Sequence, residues 1–399
     1  MAKKISVGID IGSAMIKVIV AESYENDPKT KPQIIGIGYA ESDGVRHGYI
    51  INQEDTARSL RYAIHQAQKT SGYRIEKAYF SIGCEGMQGI TSTGTVVLES
   101  KESTVTQSDI EMAIEQSQAN INPDDIRNKE ILHTIPLSYK VDNKQVSGKV
   151  LGMIGEKIEV KTFFITVATQ HIASLTEVAK LAKINIEDII ASPLTSSVTL
   201  LSKSQLIAGC GMINMGAETI SCTVFENGVP ICLDISPIGS RQITHDIALG
   251  FKVGLEEAER IKVSRIDSLP YPRRKIEEIV KARLEDACDF IQGTLKKNNK
   301  QGLLPAGILI TGGAALNIYI EDLIKEKVRL PSKKIGIKFD KESKVPVPDA
   351  TWSVAYGLAT IGIESNESQT RGSPFIRIMN KGLSKSIKDI KRFFKKILP

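Results

Sequence analysis

Residues 5–20 read ISVGIDIGSAMIKVIV, and this stretch decides the fold. Valine and isoleucine dominate both arms around a central Gly-Ser pair, a pattern that predicts two strands joined by a tight turn. A second stretch, GMINMGAETISCTVFENGV at residues 211–229, repeats the pattern 204 residues later, so that Asp10 aligns with Asn214. Two such hairpins, one near the start of each half, favour a duplicated domain, and chance similarity between hairpins is the alternative.

A third glycine turn follows in residues 306–327, AGILITGGAALNIYIEDLIKEK, which read as a strand, a Gly312-Gly313 turn and a helix. Strands alternating with helices predict α/β sheets covered on both faces. Backbone N–H groups of turns without bulky side chains hold phosphates, and glycine permits that close approach. Asp10 can hold a hydrated Mg²⁺, and Lys17 can reach the phosphates from the returning strand. Each turn alone is a weak signal, but their order indicates a nucleotide site.

The composition excludes several other classes of protein. The 399-residue chain is 41% apolar and 25% charged, as in globular proteins, and its length suggests two or three domains. It contains no Walker A motif, no dinucleotide GxGxxG and no HExxH. Five scattered cysteines form no CxxC pair, which favours reduced cytosolic thiols over disulfides or a zinc site. No secretory signal stands out, and no stretch approaches the roughly 20 apolar residues of a membrane-spanning helix.

The net charge of +6 is located in the C-terminal tail. Residues 381–399 hold seven basic residues and one acid, and removing these from the totals of 52 and 46 leaves 45 of each sign in residues 1–380. Apolar residues recur in the tail at helical spacing and share one face, and basic side chains occupy the other. These two sets are Leu383, Ile387, Ile390, Phe393, Phe394, Ile397 and Leu398, and Lys388, Lys391, Arg392, Lys395 and Lys396.

This pattern predicts an amphipathic helix over residues 383–399 that lies in the headgroup layer of an anionic membrane. Residues 364–382, rich in polar residues with Gly and Pro, predict a tether before it. The alternatives are a helix packed on its own domain, a helix in a partner's groove, and a nucleic-acid arm. The tether and the terminal position favour the membrane.

Several of these stretches resemble the motifs of the actin, Hsp70 and sugar-kinase superfamily. DIGSAMIK at residues 10–17 resembles its first phosphate motif, residues 212–228 resemble its second, and ILITGGAALN at 308–317 resembles its adenosine motif. SPLTSSVTLL (192–201) and WSVAYGLATIG (352–362) look like its two connecting helices.

Within that superfamily the chain is most similar, over residues 4–398, to the FtsA family of bacterial division proteins. The most telling stretches are ILHTIPLSYKVD (131–142), GKVLGMIGEKIEV (148–160) and GSRQITHDIALGFKVGLEEAERIK (239–262). The resemblance implies an actin-like two-domain α/β fold that clasps ATP and Mg²⁺, with an inserted small α+β subdomain and the C-terminal amphipathic helix. The implied divisions are 1–83 and 163–200 for the first domain, 84–162 for the insertion, 201–349 for the second domain, 350–363 for a return helix, 364–382 for the tether and 383–399 for the tail helix.

Matching positions imply the nucleotide contacts. They are Asp10, Gly12, Ser13 and Lys17 in the first phosphate loop, Gly216, Ala217 and Thr219 in the second, and Glu259, Lys262, Gly312 and Gly313 around the ribose and adenine. The second loop departs from the family pattern, which has aspartate at Asn214 and glycine at Ala217 and Glu218. Asparagine lacks the charge that organises Mg²⁺, and a glutamate beside phosphates adds like-charge repulsion. We therefore expect ATP binding with Mg²⁺ held by Asp10 through water, at most weak ATPase activity, and no assigned catalytic residue.

The leading hypothesis is a structural adaptor of cell division. The resemblance implies a peripheral protein that polymerises on the cytoplasmic face of the membrane, binds the C-terminal tail of tubulin-like FtsZ near residues 234–305, and anchors the FtsZ ring at the septum. Its implied partners are FtsZ, copies of itself, anionic lipid and other division proteins, not nucleic acid. The nearest alternative is a pilus-assembly scaffold like PilM, which shares the insertion but lacks the tail. A sugar or acetate kinase has no use for a lipid-binding tail.

Overall fold

The structure, a computed structural model of the chain, describes residues 3–24, 32–99, 103–263, 270–316, 319–337 and 350–370. Within these ranges the chain forms two domains of the same sheet topology, with a subdomain inserted into the first. The predicted tail helix, residues 383–399, lies outside the described residues, together with every predicted membrane-binding side chain.

The first domain packs helices on a five-stranded sheet. Its elements are β1 (Lys3–Ile11), β2 (Met15–Tyr24), β3 (Gln33–Glu41), β4 (Val45–Arg46), β5 (Tyr49–Ile50), α1 (Gln53–Ser71), β6 (Lys77–Ile82), α3 (Thr169–Leu181), β11 (Asn185–Ala191) and α4 (Ser192–Leu200). The sheet order is β11–β6–β1–β2–β3, with β1, β2 and β3 antiparallel and β6 and β11 added in parallel. Strands β1 and β2 bury consecutive residues, 6–9 and 18–22, because both faces of the sheet are covered.

The inserted subdomain is an antiparallel sheet covered by one helix. Its elements are β7 (Gln88–Val97), α2 (Gln107–Ala119), β8 (Lys129–Val141), β9 (Lys144–Val146) and β10 (Lys157–Ala168). Thr106 is the N-cap of helix α2, because Thr106 and Asp109 form a reciprocal capping box. The predicted end of the insertion at residue 162 falls inside β10, which stays paired with β7 and β8 beyond that point.

The second domain repeats the topology of the first. Its elements are α5 (Lys203–Ala208), β12 (Cys210–Met215), β13 (Ile220–Glu226), β14 (Val229–Ser236), α6 (Ser240–Phe251), α7 (Leu255–Val263), α8 (Arg273–Lys297), β15 (Ile308–Thr311), α9 (Ile320–Val328) and β16 (Ser332–Lys334). Five strands of a nine-stranded sheet, in the order β16–β15–β12–β13–β14, match β11–β6–β1–β2–β3 with the same parallel and antiparallel pairs. The strands of the insertion continue this sheet through a single β14–β7 pair, Asp234 with Gln88. The two hairpins 204 residues apart are therefore equivalent strands of equivalent sheets.

Helix α10 (Ser353–Thr370) returns the chain to the first domain, where it packs on β1 and α4. Glycine is required at the contact, because a Cβ at Gly8 would overlap the Ala355 carbonyl oxygen. The helix ends seven residues beyond the predicted 350–363 segment and takes up the start of the predicted tether. The sequence contains no glycine or proline after Gly362 until Gly372, so nothing breaks the helix earlier. No helix of the described residues is long and apolar enough to cross a bilayer.

Two buried histidines should lower the stability of the folded chain in mild acid. His133 is fully buried, its Nε2 accepts the Ala191 N–H at 3.0 Å, and His171 packs edge-on against Tyr49. Burial lowers the pKa of His133 to about 3 and that of His171 to about 4. The unfolded chain protonates both near pH 6.5, so their contribution to stability is complete above that pH and is lost as the pH falls toward the folded values. Each should lower the free energy of unfolding by about 2 kcal/mol between pH 7 and pH 5.

The measurement is the thermal midpoint at pH 7 and pH 5 for the wild type and two variants. His133→Gln keeps a hydrogen-bond acceptor but no longer titrates, so it should show a smaller acid-induced drop. His65→Gln removes a histidine exposed on α1 and should behave like the wild type. An equal drop in all three proteins would contradict the prediction.

Candidate functional site

The β1–β2 hairpin ends in a tight turn at the rim of a cleft. The Gly12 N–H donates to the Met15 carbonyl at 3.2 Å, and Asp10 faces Lys17 across the strand pair. A Cβ at Gly12 would lie 3.0 Å from the Met15 carbonyl oxygen, closer than ordinary contacts allow, so glycine keeps this turn narrow. The local sequence thus builds the predicted first phosphate turn.

Asp10 is the carboxylate of this turn and is partly buried. The Ser81 hydroxyl donates to its Oδ1 at 2.7 Å from the end of the neighbouring parallel strand β6. Burial raises the pKa of Asp10, while the Lys17 charge and the Ser81 hydrogen bond oppose that rise. The carboxyl ends of parallel strands are where α/β proteins place ligands, and a desolvated carboxylate there favours a cation.

The β12–β13 hairpin makes the same turn in the second domain. The Gly216 N–H donates to the Thr219 carbonyl at 2.8 Å, as Gly12 does to Met15. The first turn of α6 packs directly on this loop, because the Ser240 and Arg241 N–H groups donate to the Gly216 and Ala217 carbonyls at 3.1 and 2.7 Å. The predicted second phosphate turn is therefore fixed by the helix that packs on it.

The Gly312-Gly313 turn lies against the second hairpin, because β12 and β15 are parallel neighbours and Asn214 faces Thr311. Gly312 has a φ of +93°, which other residues rarely adopt. A Cβ on Gly312 would also overlap Asn214 Oδ1 and the Met215 carbonyl oxygen. The turn can approach the hairpin this closely only with glycine at position 312.

A polar network lines the side of the cleft formed by α6 and α7. Lys262 Nζ lies 2.7 Å from Glu259 Oε2 and donates to the Thr244 hydroxyl at 2.9 Å, and that hydroxyl donates to Glu259 at 2.6 Å. Burial alone would raise the pKa of Glu259, but the bonds from Lys262 and Thr244 and the nearby positive charges lower it. Glu259 therefore stays ionised and offers oxygens that hydroxyl groups of a ligand can donate to.

These elements enclose a single cavity of about 680 Å³, within the usual range for small-molecule sites. All eleven residues predicted to contact a nucleotide line it: Asp10, Gly12, Ser13, Lys17, Gly216, Ala217, Thr219, Glu259, Lys262, Gly312 and Gly313. They come from four separate stretches of the chain. Among the described residues, no three His, Cys, Asp or Glu side chains gather as a metal-binding group.

Lys17 also contacts the residues just before helix α10, which the sequence did not indicate. Its Nζ donates to the Thr351 carbonyl at 2.7 Å and lies 5.7 Å from the centre of the Trp352 ring. Sequence reasoning missed these partners and Ser81, all of which line the cavity. A signal for Ser81 was present, since it is a polar residue near the end of the apolar strand KAYFSI.

Glu218 does not face the cavity, contrary to the repulsion expected from its position in the second loop. Its side chain is 5% exposed, its Oε1 pairs with the Arg241 guanidinium, and its Oε2 accepts the His47 N–H at 2.6 Å. The ion pair neutralises the carboxylate, which does not line the cavity. Sequence spacing gave no signal for this arrangement.

Comparison with known proteins assigns the family. A family model described as cell division protein FtsA matches residues 211–398, and one described as an SHS2 domain inserted in FtsA matches residues 85–166. The cell division proteins FtsA of Pseudomonas aeruginosa and Borreliella burgdorferi are 26% and 29% identical over 383 and 359 residues. These matches cover 90% and 84% of this chain, and 90% and 85% of the relatives.

The chain belongs to the FtsA family. It is therefore a cell division protein, and the SHS2 match identifies the inserted subdomain of this family.

Solved structures share the fold of this FtsA-family chain. The PilM–PilN type IV pilus biogenesis complex matches with a TM-score of 0.64 at 14% identity, covering 90% of this chain and 98% of the other. MreB5 of Spiroplasma citri, solved with ADP bound, matches with a TM-score of 0.54 at 13% identity, covering 93% and 99%. At these identities the likeness concerns the fold alone, and it confirms the actin-like two-domain architecture with an insertion.

Proposed function

We propose that the cleft binds ATP together with Mg²⁺. The observation that carries this proposal is the convergence of eleven predicted contact residues, from four distant stretches, on one cavity. Two equivalent glycine turns face each other across it, as a chain of phosphates requires. The structural neighbour MreB5 binds ADP in the same fold, which supports the proposal for this chain.

The residues present fit this ligand. The two hairpin turns and Lys17 would hold the phosphates, and Glu259 and Lys262 would meet the ribose and adenine opposite the Gly312 turn. Mg²⁺ prefers few carboxylates and several waters, and it would neutralise phosphate charge beside the desolvated Asp10. Asn214 stands where a second carboxylate would be needed, so the site is suited to binding more than to hydrolysis.

We further propose that the chain is an adaptor that anchors FtsZ to the cytoplasmic face of the membrane at the division site. Membership of the FtsA family supports the division role. The amphipathic pattern of residues 383–399 supports attachment to anionic lipid. The FtsZ tail would bind the second domain near residues 234–305, and filaments of the chain would add many weak lipid contacts.

A co-flotation experiment tests the adaptor function. FtsZ is mixed with anionic vesicles and floated through a density gradient with and without the full chain and ATP. We expect FtsZ to rise with the vesicles only when the full chain is present, because FtsZ itself has no anchor in this mixture. The control chain ends at residue 382 and should leave FtsZ at the bottom.

The same experiment separates the adaptor from a PilM-like scaffold. If the chain is a PilM-like scaffold, FtsZ is expected to stay at the bottom of the gradient. If the full chain floats and FtsZ stays at the bottom at micromolar concentrations, the FtsZ-anchoring proposal is wrong while membrane attachment stands.

A further inference from the structure

Glu218 and Arg241 form an ion pair of the second domain, and each of the two side chains contacts the first domain. Glu218 Oε2 accepts the His47 N–H at 2.6 Å, and Arg241 Nη2 donates to the Ser13 carbonyl at 3.3 Å. The pair thus presents one acceptor and one donor to the backbone of the other domain. Both contacts lie beside the two phosphate turns; Ser13 lines the cavity, whereas Glu218 and Arg241 do not.

The segment that receives Glu218 is held firmly in place. His47 and Gly48 have φ values of +49° and +79°, and the Gly48 N–H donates to the Ser13 hydroxyl at 3.0 Å. A Cβ at Gly48 would overlap the Gly83 carbonyl oxygen, so the turn between β4 and β5 packs directly on the start of the insertion. The His47 N–H is therefore a fixed donor, and Glu218 meets a preorganised partner.

We propose that Glu218 is a clasp that holds the two domains closed across the cleft before nucleotide binds. This inference rests on the proposed nucleotide site. An open cleft would break the His47 and Ser13 contacts, whereas a closed cleft keeps both phosphate turns in place. Because nucleotide binds the closed form, its apparent affinity scales with the closed fraction of the chain. Glu218 is thus a positioning residue for the nucleotide, not a group that repels it.

The test compares ATP affinity, measured by calorimetry with Mg²⁺, in the wild type and Glu218→Ala. Loss of a hydrogen bond to a charged group removes enough free energy to weaken ATP binding about 10-fold to 100-fold. Repulsion between Glu218 and phosphate predicts the opposite sign, because alanine would then tighten binding. The matched control is Glu226→Ala, which breaks an ion pair with Lys300 inside the second domain and should leave the affinity unchanged.

A second measurement needs no nucleotide. Fluorophores on Lys69→Cys in α1 and Ala282→Cys in α8 report the distance between the domains by energy transfer, and the native cysteines are buried. Without ATP, Glu218→Ala should show a longer distance between the domains than the wild type. Glu218→Gln keeps an oxygen that can accept from the His47 N–H, so its distance should be intermediate. Combining Glu218→Ala with Arg241→Ala also removes the Ser13 contact, so the double variant should show the longest distance.

The two measurements separate the clasp from the nucleotide proposal. A wild type that binds no ATP overturns the nucleotide site, and the distance measurement then still decides whether the clasp exists. If Glu218→Ala is too unstable to study, Glu218→Gln and Arg241→Ala test the same contacts. The clasp is overturned if the apo distance is the same in all variants, or if removing the carboxylate tightens ATP binding.

Discussion

Replacing Phe393 and Phe394 together with glutamate is expected to release the chain from anionic vesicles at any salt concentration. Residues 1–380 carry equal numbers of basic and acidic residues, so bulk charge cannot hold the protein on lipid. Burial of each phenylalanine contributes about 1.5–3 kcal/mol, and losing both should weaken membrane binding by about 100-fold or more. Vesicle flotation of the full-length variant measures the effect.

The matched variant changes the charge of the tail and keeps its apolar face. Glutamine at Lys391, Arg392, Lys395 and Lys396 should weaken binding on anionic lipid and flatten its dependence on salt, because a Debye length of about 8 Å screens this attraction. Binding to neutral vesicles should change much less. A double-glutamate protein that still floats would show that the apolar face of the tail is not the membrane anchor.

Gly312→Ala should cost the chain most of its affinity for ATP, at least about 100-fold. A side chain at a φ of +93° is strained by about 1–3 kcal/mol, and here its Cβ would also overlap Asn214 and the Met215 carbonyl. The turn must move away from the second hairpin, which separates two walls of the cleft. The measurement is calorimetric titration with ATP and Mg²⁺, alongside the thermal midpoint.

Gly293→Ala in α8 is the control, because it adds the same methyl group away from the cleft. Its Cβ would meet no atom within 4 Å outside its own helix, and its φ is not positive. Its ATP affinity should stay within about 3-fold of the wild type, less than 1 kcal/mol. Equal affinities for the two variants would show that the Gly312 turn is not a wall of the nucleotide site.

The parts of the fold that could be predicted are those that short-range chemistry determines. Runs of valine and isoleucine around a glycine turn specify a hairpin locally, and two hairpins at a fixed offset indicate two equivalent sheets. The predicted contact residues meet in one cavity because the turns sit at the same edge of those sheets. The tail helix and its lipid contacts remain predictions from periodicity alone.

The parts that could not be predicted depend on partners far away in the chain. Glu218 meets a backbone group 171 residues earlier, and Lys17 meets one 334 residues later, so spacing gives no sign of either contact. Element ends were misplaced for a related reason. Strand β10 continues past residue 162 because of its neighbours in the sheet, and α10 continues to Thr370 because no breaker stops it.

The central claim, that the cleft holds ATP with Mg²⁺, has one direct test. The full-length wild-type chain is titrated with ATP in a calorimeter, once with Mg²⁺ and once with EDTA. We expect saturable binding of one ATP per chain at micromolar concentrations with Mg²⁺, and weaker binding without it, because Asp10 then faces the phosphates uncompensated. No binding of ATP at millimolar concentrations, with or without Mg²⁺, would contradict the claim.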